Sequence, residues 1–110
     1  MPSLYEPCGL TQMYSLRYGT LPIVHETGGL ADSVKDYRPD LGAGLKDGTG
    51  FRFSPCSGHP FWEACQRALA LYPNKVELNR VRKLAMKQDF SWTRSAKEYE
   101  IVYRRALASK

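Results

Sequence analysis

Apolar positions along this 110-residue chain change their period several times, and each change marks an element. Leu10, Met13, Tyr14 and Arg17 share one stripe at helical spacing, which predicts a first helix from Pro7 to Tyr18. Proline suits the first helical position because its missing N–H has no intrahelical partner there, and Gly19 supplies a stop. Residues 20–26, TLPIVHE, form a short apolar run bounded by turn residues and read as a buried strand. Thr27-Gly28-Gly29-Leu30 then turns into a short helix reaching about Lys35. Residues 36–50 carry five Gly or Pro positions and read as a surface loop, followed by a short strand at Phe51-Arg52-Phe53.

The remainder is helical. Pro60 opens a third helix with Phe61, Trp62, Cys65, Ala68, Leu69 and Tyr72 on its apolar face, and Pro73 closes it. Leu78, Val81, Leu84 and Ala85 mark a fourth. Ser91 is a good N-cap for a last helix over about 91–107, whose buried stripe is expected to hold Trp92, Ala96, Tyr99, Val102, Tyr103 and Ala106. Strands separated by helices imply parallel crossovers and therefore an α/β layered architecture. Two short strands make a meagre parallel sheet, so the expectation is a piece of a larger one.

Composition adds exclusions. A hydrophobic share of 43% with 25% charged residues is ordinary for a globular domain. No apolar run approaches the ~18 residues of a membrane span, and no basic start with an apolar core marks a signal peptide. The three cysteines, Cys8, Cys56 and Cys65, have no metal-ligand spacing; with only His25 and His59 to join them, no metal site or cofactor is expected. Charge is uneven: residues 1–73 hold 6 Lys and Arg against 7 Asp and Glu, residues 74–110 hold 10 against 4. A basic C-terminal third is one way to grip nucleic acid, but its cations are spread along the chain, so no nucleic-acid partner is expected and solvated helix faces account for them.

The stretch Glu6-Pro7-Cys8-Gly9-Leu10-Thr11 carries the chemistry. In open α/β sheets ligands bind where loops lead from strand ends into helices. A helix start offers unpaired N–H groups suited to phosphate, glycine permits close approach, and Pro7 holds Glu6 extended just outside the helix. Amides for a phosphate and a carboxylate for sugar hydroxyls suit a phosphate joined to a polyol. The plainer alternative, that Glu6 caps the helix and Gly9 relieves crowding, stays open on these residues alone. Gly28-Gly29 adds a second glycine-rich turn at the end of a neighbouring strand.

The segment EPCGLTQMYSLRYGTLPIVHETGGLADSV, Glu6 to Val34, closely resembles a C-terminal block of bacterial glycogen synthases and plant starch synthases. Gly48-Thr49-Gly50-Phe51-Arg52-Phe53 and the tail from Gln88-Asp89-Phe90-Ser91-Trp92 to Tyr99 resemble that family too. The resemblance implies the back half of the Rossmann-like C-terminal domain of a GT-B glycosyltransferase, with residues 1–110 a partial donor-nucleotide-binding domain and the N-terminal domain absent. It implies transfer of glucose from ADP-glucose to the non-reducing end of an α-1,4-glucan, with retention. Glu6 would be the catalytic carboxylate; Cys8, Gly9, Leu10, Thr11, Gly28 and Gly29 would bind ADP-glucose. Related retaining enzymes carry a second glutamate eight residues after the first, where Tyr14 stands here. A bacterial origin would imply the cytoplasm, a plant or algal one the plastid. From a different class comes a non-catalytic glucan-binding or assembly module, its sugars stacked on Trp62, Tyr72, Trp92, Tyr99 and Tyr103. Helical spacing favours core positions for those rings.

Overall fold

A computed structural model of the chain describes residues 1–41 and 47–109. Its elements are helix α1 (Thr11–Arg17), strand β1 (Ile23–His25), helix α2 (Gly28–Ser33), strand β2 (Phe51–Phe53), and helices α3 (Gly58–Leu71), α4 (Lys75–Met86) and α5 (Trp92–Ala108). A 3-10 turn occupies Pro39–Leu41. Strands β1 and β2 pair in parallel, with Ile23 opposite Phe51, Val24 opposite Arg52 and His25 opposite Phe53. The α/β assignment therefore holds.

Alternation along the two strands divides the core. On one face Phe51 and Phe53 pack with Tyr37, Ala64, Leu71 and Val81, which seats α3 and α4. On the other, Val24 packs with Leu30 and Val34 beneath α2. Met1 extends the pairing outward from β1: its amine donates to Ile23 O at 2.7 Å, and His25 N–H donates to Met1 O at 3.1 Å. Burial lowers the pKa of that amine.

The outer edge of β2 is closed by side chains. Arg52 N–H donates to Asp36 Oδ1 at 2.8 Å, and Arg67 donates to Arg52 O at 2.6 Å, to Asp36 Oδ1 at 2.8 Å and to Tyr37 O at 3.2 Å. Asp36 itself forms a parallel bridge with Gly50. The expected loop over 36–50 is thus partly a strand-like strap with Tyr37, Gly48, Thr49 and Gly50 buried; positions 42–46 lie outside the described residues.

Three helical faces differ from the sequence expectation, each for a physical reason. The first helix starts at Thr11 rather than Pro7, because Gly9 sits in the left-handed region at φ 76° and interrupts the helical path. It buries Gln12 and Leu16, while Leu10 and Tyr14 are exposed. Helix α3 turns Pro60, Ala64, Arg67 and Leu71 toward the sheet so that Arg67 can reach Asp36 and Arg52, which leaves Trp62, Leu69 and Tyr72 exposed. Helix α5 buries no side chain at all: its apolar stripe exists but faces outward. The Cα radius of gyration, 16.0 Å, exceeds the ~13 Å typical of a compact domain this size, as a projecting helix requires.

Candidate functional site

The loop from Glu6 to Leu10 and the turn at Thr27–Gly29 meet backbone to backbone. Gly29 N–H donates to Glu6 O at 2.9 Å. A Cβ on Gly28 would collide with Glu6 O, and one on Gly29 with the Cα and carbonyl oxygen of Cys8. Gly28 also sits at φ 43°, where side chains are strained. The double glycine therefore fixes where the Glu6 loop stands, by admitting its backbone into van der Waals contact with α2.

Gly9 holds the other side of the loop. A Cβ there would lie 3.2 Å from Glu6 Cγ and 2.7 Å from Gln12 Oε1, so the glutamate side chain and the Gln12 amide close around its Cα. Glu6 is half-buried; Cys8, Leu10 and Thr11 are exposed. Leu10 caps α1 without a side-chain hydrogen bond, and the first helical bond runs from Tyr14 N–H to Leu10 O at 3.0 Å. The N–H groups of Gly9, Leu10 and Thr11 find no hydrogen-bond partner among the described residues.

Gln12 is the residue that the sequence reading passed over. It is completely buried, and its Nε2 donates to Cys8 O at 2.7 Å, Gly9 O at 3.1 Å and Ser33 Oγ at 3.2 Å. Ser33 Oγ donates in turn to Gly29 O at 2.6 Å. No sequence signal marks it, because a glutamine one residue into a helix reads the same whether its amide is buried or exposed.

A cavity of about 400 Å³ adjoins the loop, lined by Pro7, Cys8, Gly29 and Ser33 and walled by Gln88, Asp89 and Phe90 and the first turns of α5. Lys35 and Arg94, distant in sequence, both line it. Asp89 in its wall has its pKa held down by the Ser91 hydroxyl and N–H. Leu4, Tyr5 and Leu10, and Tyr14 and Tyr18 further along the chain, are exposed. No group of three or more His, Cys, Asp or Glu side chains able to hold a metal occurs among the described residues. Of the sequence candidates, Glu6, Cys8, Gly9, Leu10 and Thr11 lie together on one loop, and Gly28 and Gly29 support that loop from behind.

Comparisons with known proteins agree in direction. The chain is 53% identical over 106 residues to the glycogen synthase of Fervidobacterium nodosum, a match covering 96% of this chain and 21% of that protein. Against the glycogen synthase of Thermotoga maritima it is 50% identical over 109 residues, covering 98% and 22%. Among solved structures, the catalytic domain of starch synthase IV from Arabidopsis thaliana, bound to ADP and acarbose, superposes with a TM-score of 0.79 at 40% identity. That match covers 97% of this chain and 22% of the other. No protein-family profile matches. The chain thus spans about a fifth of the length of the relatives it matches.

Proposed function

Since the chain belongs by sequence to the glycogen and starch synthase family along nearly its whole length, we propose that it forms the donor-binding part of a retaining glucosyltransferase. That enzyme moves glucose from ADP-glucose to the non-reducing end of an α-1,4-glucan. In this reading Glu6 lies beside the donor glucose and steadies positive charge developing on the sugar, while the backbone at Cys8, Gly9, Leu10 and Thr11 receives sugar hydroxyls and the distal phosphate. Gly28 and Gly29 act by holding that loop in place. The observation that carries the proposal is the pairing of one half-buried carboxylate with consecutive unpartnered N–H groups on a single rigid loop.

Catalysis of this kind needs a second domain to close over the donor, exclude water and bring up the acceptor. The exposure of Leu4, Tyr5, Leu10 and Tyr14, in and near the loop in sequence, suits such a closing partner. The 110-residue chain alone is therefore expected to release no ADP from ADP-glucose in the presence of glycogen. The direct test places these residues in the Thermotoga maritima enzyme, in exchange for the 109-residue stretch they match. The exchange should retain glucan synthesis, and Glu6→Ala within it should lower turnover by ~100-fold or more. Turnover of the Glu6→Ala form within tenfold of its parent would remove Glu6 from the chemistry.

A second reading draws support from the exposure of Trp62, Tyr72, Trp92, Tyr99 and Tyr103, which a core role would not give them. A non-catalytic module would use those rings to stack on glucan. Retention of the chain on amylopectin or glycogen, lost on replacing Trp92 and Tyr103, would favour it.

A further inference from the structure

Resting on the donor-loop reading above, we infer that Gln12 is a positioning residue, which sets the direction in which the peptide groups of the Cys8-Gly9-Leu10 turn face. Its amide nitrogen carries two hydrogens and meets three acceptors, Cys8 O, Gly9 O and Ser33 Oγ. Ser33 spends its own hydrogen on Gly29 O and so accepts from Gln12, which fixes the nitrogen, rather than the oxygen, toward the loop.

The peptide bonds on either side of Gly9 are trans, so the C=O and N–H of each point in opposite directions. Drawing the Cys8 and Gly9 carbonyls inward onto Gln12 therefore turns the N–H groups of Gly9 and Leu10 outward. With Gly9 left-handed and Leu10 right-handed at φ −119°, ψ −27°, successive N–H groups converge on one shallow concavity of the kind that holds anions. Gln12 never touches the ligand in this arrangement. It aims the groups that do.

A packing role alone is a poor account of this side chain. Gln12 Oε1 is buried without a hydrogen-bond partner among the described residues, and a Cβ on Gly9 would come within 2.7 Å of it. Methionine, similar in length and apolar, would fill the same space without an orphaned acceptor. The amide earns its place through its nitrogen.

The test follows backbone amides of the full 110-residue chain by NMR while ADP-glucose is added. In the wild type the Gly9, Leu10 and Thr11 signals shift in a saturable way. Gln12→Met is expected to weaken that binding at least tenfold, and Gln12→Asn, which keeps the amide on a shorter stem and leaves a second variant should Gln12→Met fail to fold, three- to tenfold. Val81→Ala, a core change remote from the loop, lowers the melting temperature but keeps wild-type affinity. Folded Gln12 variants that bind as the wild type does would overturn the positioning role alone. An equal loss in Val81→Ala would also overturn it, by tracing the effect to general stability. Absence of any ADP-glucose shift in the wild type would bring down the donor-loop reading itself, and this inference with it.

Discussion

Helices α4 and α5 follow one another in the chain and are built alike, yet they stand in opposite relations to the fold. Both have a polar side chain accepting from the first turn: Asn74 Oδ1 from Glu77 N–H at 3.2 Å, and Ser91 Oγ from Arg94 N–H at 3.3 Å. Both carry an apolar stripe. Helix α4 buries Val81 and Ala85, receives the Tyr37 hydroxyl on Glu77 at 2.8 Å and reaches the turn that follows α1 through Arg82, whose Nε donates to Gly19 O at 2.9 Å. Among the described residues, helix α5 has surface ion pairs such as Arg94 with Glu98 at 3.7 Å, and Tyr99 and Tyr103 side by side in solvent. Amphipathic periodicity states that a helix has a face to cover. It does not state what covers it.

The sharpest way to break this contrast is to put a charge into each stripe. Val81→Asp buries an unpaired carboxylate and should cost about 4 kcal/mol or more, enough to abolish the cooperative melting transition. Val102→Asp, already in solvent, should change stability by no more than about 0.5 kcal/mol. A comparable cost at both positions would mean that α5 is packed after all. Thermal unfolding by circular dichroism reads both.

A smaller effect tests the bond from Tyr37 to α4. Burial, and then the hydrogen bond to Glu77, push the Tyr37 hydroxyl up from its usual 10.0 to about 12. Between those values the folded chain holds a proton that the unfolded chain has lost. Stability contributed by Tyr37 is thus full below pH 10 and falls as pH rises toward 12. The loss should be on the order of 1 to 2 kcal/mol, less than two full pKa units would give because Glu77, which accepts the bond, is partly exposed to solvent. Tyr37→Phe should flatten that part of the stability profile against pH, while Tyr103→Phe should leave it unchanged. The smallest contrast lies in the caps. Asn74→Ala should lower global stability by about 1 kcal/mol, whereas Ser91→Ala should reduce the helix signal of α5 alone without moving the main transition.

These elements also show where the sequence was legible. The α4 stripe could be read because Val81 and Ala85 are apolar and really are buried. The α3 face was read in part: Ala68 does pack on the core and Phe61 meets Phe53, but Trp62, Leu69 and Tyr72 are exposed because Arg67, a charged side chain that no hydrophobicity pattern would place there, turns inward to satisfy β2. Glu6 and Gly9 announced themselves through residue type and order. Gln12 did not, since a buried amide looks like any surface glutamine until the two carbonyls it holds are known. The role of Gly28 and Gly29 was likewise hidden: in sequence they suggest ligand approach, whereas in space the backbone that approaches them is the chain's own.

The side chains that close β2 have a consequence for how molecules of this chain meet one another. A free strand edge is a template on which a second chain can zip up, backbone to backbone, into a growing ribbon. At Arg52 that template is already spoken for, the N–H by Asp36 and the carbonyl by Arg67. Ribbon growth along this edge would first have to tear out an ion pair. Any self-association is then expected at the uncovered stripe of α5, whose apolar side chains are exposed and impose no register. Concentrated solutions should accordingly form helical, readily dispersed clusters, and Arg67→Ala should shift them toward thioflavin-binding fibrils.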